Sequence, residues 1–182
     1  MTTSVEVLYL EAEADIRNNN FLEAFQKYEH ILYDEPGFSP AHNSIGWIYK
    51  SQFENHDKAE NHFRCAIKSD PLYPHPYYHL ASLLMYMDRY FELEEHLEHC
   101  LEVFSIDKSW VYDRFGMMNE LNGSFEKAMI YYQQAILATM NNDKIKEFQC
   151  DIERCRLKIK IGENGKSWFS FKKKIALRDK DQ

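Results

Sequence analysis

Several residues in this chain have the types and spacings of chemical sites. Gly165-Lys166-Ser167 has the ending of a phosphate-binding loop, in which backbone N–H groups and a lysine cradle phosphates. That motif needs a glycine five residues before Gly165, and Lys160 stands there instead; Gly162 is three before, and no strand-like run leads in. The triplet is read as a turn. His96, His99 and Cys100 lie in the run HLEHC. His96 and Cys100 are one helical turn apart, the spacing at which two side chains can share a soft divalent ion. A zinc site needs four ligands, and no other residue in the sequence is placed to supply the rest. His75 and His79 share a helix face in the same incomplete way, and Cys150 and Cys155 do not match a CxxC spacing. No nucleophile has a base beside it in a supporting motif. The expectation is a non-catalytic protein with no cofactor and no metal site.

Composition narrows the class. The chain has 182 residues, 45% of them apolar and 15% aromatic, which suits one folded domain. No apolar run reaches the length of a membrane-spanning helix. The first residues, MTTSVEVLYLEAEADIR, lack the charged leader and apolar core of a secretory signal. Four scattered cysteines are too few for a disulfide scaffold and fit a reducing compartment, so a cytoplasmic location is expected. Residues 1–150 carry a net charge of −12 and residues 151–182 a net +5. An acidic body disfavours nucleic acid as partner, because neutralising phosphates needs clustered Lys and Arg.

The elements that position these residues are helices in pairs. Trp110–Leu121 and Phe125–Ala138 are both amphipathic, with Asn122-Gly123-Ser124 between them. Gly116 lies inside the first, where a glycine costs about 1 kcal/mol against alanine and so points to close packing. The layout recurs upstream. The position that opens each second helix holds Ala24, Ala59, Leu93 and Ala128, at steps of 35, 34 and 35 residues. Four residues later come Tyr28, Phe63, Leu97 and Tyr132; seven later come Ile31, Ala66, Cys100 and Ala135. The first helices place Ala12, Gly46, Ala81 and Gly116 at the close-approach point. Pro36 and Pro71 end two of the units.

A helix-turn-helix unit of about 34 residues with this small-and-aromatic pattern resembles the tetratricopeptide repeat (TPR) family, over Val5 to about Met140. The resemblance implies an all-α, right-handed superhelix of four helix pairs closed by a C-terminal capping helix. The repeats span about 5–36, 39–71, 74–105 and 109–140. The cap spans about 143–161, where Ile145, Phe148, Ile152, Cys155 and Ile159 share one face, and it is expected to end at Gly162. Residues 1–161 then form the repeat domain and 162–182 an aromatic and basic tail.

The same resemblance implies that first helices line a concave groove and that the protein works as an interaction module. The groove positions are Tyr9 and Glu13 in repeat one, and Asn43, Trp47 and Lys50 in repeat two. Repeat three supplies His75, Tyr78, Ser82 and Met85; repeat four supplies Trp110, Asp113, Met117 and Glu120. Tyr9, Trp47, Tyr78 and Trp110 give one large aromatic per repeat, a residue class enriched at protein-binding surfaces. Glu13, Lys50, Asp113 and Glu120 are expected to set register. The Lys–Asn–Arg clamp of chaperone-binding relatives is absent: its positions hold Tyr9, Glu13, Ser44, His75 and His79. The expected partner is a protein or peptide segment. A chaperone for a secreted client and a structural subunit of a larger complex are the alternatives, and the irregular first repeat leaves room for a homo-oligomer. In the tail, Trp168, Phe169 and Phe171 precede Lys172, Lys173 and Lys174. That pattern fits docking on the domain, contact with a membrane surface or a free basic end.

Overall fold

The structure, a computed structural model, describes the backbone of residues 4–178 and the side chains of residues 4–163. Among the described residues all regular structure is helical. The helices are α1 (Val5–Arg17), α2 (Phe21–Asp34), α3 (Ser39–Ser51), α4 (His56–Ser69), α5 (His75–Tyr86), α6 (Tyr90–Glu102), α7 (Lys108–Leu121), α8 (Phe125–Ala138) and α9 (Asn142–Arg178). They form two compact units, Met1–Ile106 and Asp107–Gln182.

In the first unit, helices pair as α1/α2, α3/α4 and α5/α6, each pair packs on the next, and α3 also meets α5. In the second, α7 pairs with α8 and α8 packs on α9. Starts are set by local chemistry. Asn55 Oδ1 accepts from the Lys58 N–H at 3.1 Å, Asp107 accepts from the Ser109 N–H at 2.9 Å, and α3 and α5 carry a proline in the first turn.

The periodic small and aromatic residues are the core. Ala24, Ala59, Leu93 and Ala128 are fully buried, as are Tyr28, Phe63, Leu97 and Tyr132 and the row Ile31, Ala66, Cys100 and Ala135. Burying each large side chain of this kind stabilises the fold by about 1.5–3 kcal/mol. The glycines are needed for space. A Cβ on Gly46 would meet the Phe63 ring at 2.7 Å, and one on Gly116 would meet the Tyr132 ring at 2.5 Å. Pair α5/α6 solves the same contact with Ala81 and the smaller Leu97, while α1/α2 sets Ala12 in the row of Tyr28.

Each pair turns on one left-handed residue: Asn19 (φ 61°), Glu54 (φ 49°), Asp88 (φ 54°) and Gly123 (φ 72°). The residue after it donates its N–H back across the end of the first helix. Asn20 bonds Asp15 O at 2.8 Å, Asn55 bonds Tyr49 O at 2.9 Å, Arg89 bonds Leu84 O at 3.0 Å and Ser124 bonds Asn119 O at 2.8 Å. The turn after α3 is one residue longer than the others, and Phe53 fills it, edge-on to Phe25 at 5.5 Å.

On α9, Phe148, Ile152 and Cys155 are buried against Ala128, Tyr132 and Ala135. The helix does not stop at Gly162 as expected but continues to Arg178. No neighbour lies within 4 Å of a Cβ built on Gly162, and a glycine inside a helix costs about 1 kcal/mol without ending it. The turn expected at Gly165-Lys166-Ser167 is helix instead, since the backbone of α9 runs through it; the expectations for Trp168, Phe169, Phe171 and Lys172–Lys174 concern side chains outside the described ones.

Two measurements test this account. Gly46→Ala is expected to cost about 1–3 kcal/mol in urea denaturation, and most of that cost is expected to vanish in a Phe63→Leu background, which copies the Ala81/Leu97 pair. Additive losses would show that the ring is not what the glycine accommodates. Glu54→Gly is expected to stabilise the fold by about 1 kcal/mol, because a left-handed glutamate is strained where glycine is not.

Candidate functional site

The first unit presents a face built from α1, α3 and α5. Two cavities lie on it and share Trp47 and His79. One, of about 220 Å³, is lined by Glu13, Ile16, Asn43, Ser44, Trp47 and His79. The other, of about 520 Å³, is lined by Trp47, Lys50, Ser51, Glu54, His56, His79 and Tyr86. Helical spacing explains the arrangement: Asn43, Trp47 and Lys50 recur every three or four residues on α3, on the side away from Ile45 and Ile48.

Polar groups at the base of this face are held in place. Glu13 Oε1 accepts from Tyr28 Oη at 2.6 Å and from Ser44 Oγ at 3.2 Å. Burial raises the pKa of both Tyr9 and Tyr28, so both phenols stay protonated as donors. Asn43 is only 8% exposed, and its Oδ1 has no hydrogen-bond partner among the described residues. Trp47 is half-buried, its ring 6.0 Å from Phe21. Lys50 donates to Ser82 Oγ at 3.0 Å, and burial lowers its pKa. His79 stacks on Phe63 at 5.4 Å.

The remaining expected groove positions in this unit are less enclosed. Tyr9 is half-buried and packs on Tyr28 and Phe38, with ring centroids 5.8 and 5.5 Å away. His75 is exposed and lies edge-on to the half-buried Tyr78. Ser82 is exposed and Met85 half-buried. Ile16, Ser44, Ser51, Glu54, His56, His79 and Tyr86 line the cavities but are not among the expected groove positions. Ser44 and His79 do occupy the clamp positions, which was the available signal. Glu54, His56 and Tyr86 belong to turns and helix ends, where helical spacing gives no direction.

In the second unit, Trp110 and Asp113 are half-buried. The Arg114 guanidinium sits over the Trp110 ring at 5.5 Å and pairs with Asp113 at 3.1 Å. Burial raises the Asp113 pKa. Met117 is half-buried against the core that α8 and α9 build. Glu120 differs from its expected role of setting register on an open surface. It is 8% exposed, and its carboxylate accepts from Tyr132 Oη at 2.8 Å, Arg154 Nε at 2.7 Å and Lys158 Nζ at 2.7 Å. Arg154 foremost, then Lys158 and Tyr132, hold its pKa down to about 2. Glu120 therefore ties α7, α8 and α9 together.

The HLEHC run is packing. His96 Nε2 lies 3.0 Å from Tyr77 O, and Tyr77 lies between His96 and His99, stacked at 5.8 Å from each. Cys100 is buried, which pushes its thiol up to about 12. Among the described residues no group of three or more His, Cys, Asp or Glu gathers as metal ligands, and no helix is long and apolar enough to cross a membrane.

No protein-family model matches the chain, and no curated protein matches it. Its fold does match solved structures. It superposes on human IFIT1, in a dimer with PPP-AAAA, with a TM-score of 0.75 at 17% identity. The match covers 89% of this chain and 41% of IFIT1, so the chain spans about two fifths of that protein. MamA gives 0.63 at 16% identity, covering 88% of this chain and 90% of MamA. TTC0263, a thermophilic TPR protein of Thermus thermophilus, gives 0.64 at 12% identity, covering 82% of each chain. The fold is the all-α helical solenoid of tetratricopeptide repeats.

Acid titration probes the packed histidines. Burial holds His62, His79 and His96 each at about 4, against 6.5 when free. Each stays neutral in the folded chain and gains a proton on unfolding between about pH 6.5 and 4. Stability is therefore expected to fall on acidification through that window, by up to about 1.4 kcal/mol per pH unit for each histidine. Glu120, ionised down to about 2, adds a loss only below about pH 4.5. Urea midpoints measured from pH 7 to 5 are expected to drop, and His79→Gln to flatten the drop. A profile flat from pH 6.5 to 5 would contradict the burial of these rings.

Proposed function

We propose that the protein is a non-catalytic interaction module, an adaptor or assembly factor, that holds an extended segment of a partner protein on the α1/α3/α5 face of its first unit. The observation that carries this reading is Trp47, a half-buried ring that lines both cavities of the face, with the polar groups Asn43, Glu13, Ser44 and Lys50 around it. Tryptophan anchors of this kind carry much of the energy in protein interfaces. Tyr9, His75, Tyr78, Ser82 and Met85 extend the surface. Trp110, Asp113 and Met117 form a separate candidate surface on the second unit.

A nucleic-acid ligand such as the PPP-AAAA held by IFIT1 is less well supported. Among the described residues Lys50 is the one Lys or Arg lining the two cavities, and residues 1–150 carry a net −12. The four free cysteines, two of them exposed, support the cytoplasm as the working compartment.

Affinity capture with the full chain tests the proposal. Trp47→Ala is expected to weaken partner binding by about 2 kcal/mol, roughly thirtyfold, with the thermal melt little changed. Trp110→Ala, run in parallel, reports on the second surface. Undiminished capture by both variants would remove the groove reading.

A further inference from the structure

Among the described residues Lys50 is the cation that lines this face, and its charge lacks an opposite. It is half-buried, it makes no ion pair with a carboxylate among the described residues, and its one hydrogen bond goes to the neutral Ser82 hydroxyl at 3.0 Å. Glu54, four residues along, would pair with it on a continuous helix. But α3 ends at Ser51, and Glu54 occupies the left-handed position of the turn, at the rim of the same cavity. Trp47, His79 and Tyr86 line the cavity beside Lys50. His79 is neutral at physiological pH and can donate or accept a hydrogen bond, and His56 Nδ1 is buried at this cavity without a partner.

We propose that this 520 Å³ cavity takes the side-chain carboxylate of an aspartate or glutamate carried by the bound segment, with Lys50 as its counter-charge. The inference rests on the groove reading and sharpens it by assigning the partner an acidic residue at this point. The physical case is direct. A cation partly withdrawn from water and left unpaired is a standing cost, and an incoming carboxylate removes it. The cavity holds an acidic side chain with some of its water, since each water occupies about 30 Å³. One lysine suits one carboxylate; a polyphosphate needs several cations. Ser82 and His79 add polar partners beside the ammonium, and the rings of Trp47 and Tyr86 line the cavity around the pair.

The test uses small probes on the full-length, isotope-labelled chain, independent of any partner. Capped glutamate (N-acetyl-glutamic acid amide), capped glutamine and inorganic phosphate are titrated, and the Trp47 indole N–H and His79 ring signals are followed by NMR. Capped glutamate is expected to give saturable shifts with a Kd of about a millimolar, weakening with added salt, and capped glutamine none. Lys50→Met is expected to abolish the shifts and Lys50→Arg to keep them. Glu54→Gly, which removes the competing rim carboxylate, is expected to tighten binding about two- to fivefold. Absent shifts, shifts that persist in Lys50→Met, or shifts caused by phosphate alone would overturn the carboxylate assignment. Failure of the groove itself would show separately, as partner capture that survives Trp47→Ala.

Discussion

The structure depends on the distance between the two helices of a pair. At the crossing, a residue with little or no side chain on the first helix faces a large one on the second. Gly46 lies under Phe63 and Gly116 under Tyr132, each so close that a single added carbon would overlap the ring. Both rings are fully buried, at a distance from the first helix that only a bare backbone allows. Two flat amphipathic helices thereby become one rigid unit with a second apolar face, and that face must be covered by the next pair or by a capping helix. The rows of buried residues, the stacking of pairs and the docking of α9 all follow from that crossing.

Much of this was legible in the sequence because packing at such a crossing is local and repetitive. The sixteen positions picked out by their beat, from Ala12 to Ala135, are all core positions in the structure. The solvent side of the first helices was harder to read. Helical spacing places Glu120 on that side, and nothing nearby in the chain contradicts it. What encloses Glu120 comes from 34 and 38 residues further on, from Arg154 and Lys158 of α9. Spacing on one helix cannot anticipate what another lays over it. Gly162 shows the opposite error: a local breaker weighs less than the neighbouring helical residues that carry α9 past it.

Tyr9 and Trp47 illustrate why an aromatic row is ambiguous. Both were expected as groove positions, and both are half-buried, Tyr9 on Tyr28 and Phe38, Trp47 beside Phe21. A ring can brace its own scaffold with one edge and present the other to a ligand. The polar groups resolve the site better. Among the described residues Asn43, Lys50 and His56 are left incompletely matched there, and none of this is visible until the surrounding helices are in place.

The left-handed residues at 19, 54, 88 and 123 recur on the same interval as the core. The extra residue in the turn after α3 falls before its left-handed position, so the following helix enters at the phase the others share. These four positions therefore act as splice points. An insertion just ahead of one is absorbed as a bulge, and segments from different repeats exchanged at one would rejoin with matching direction. Lengthening or shuffling of the array by recombination would be tolerated there and disruptive within the helices, which makes the joints the natural places from which such a chain grows.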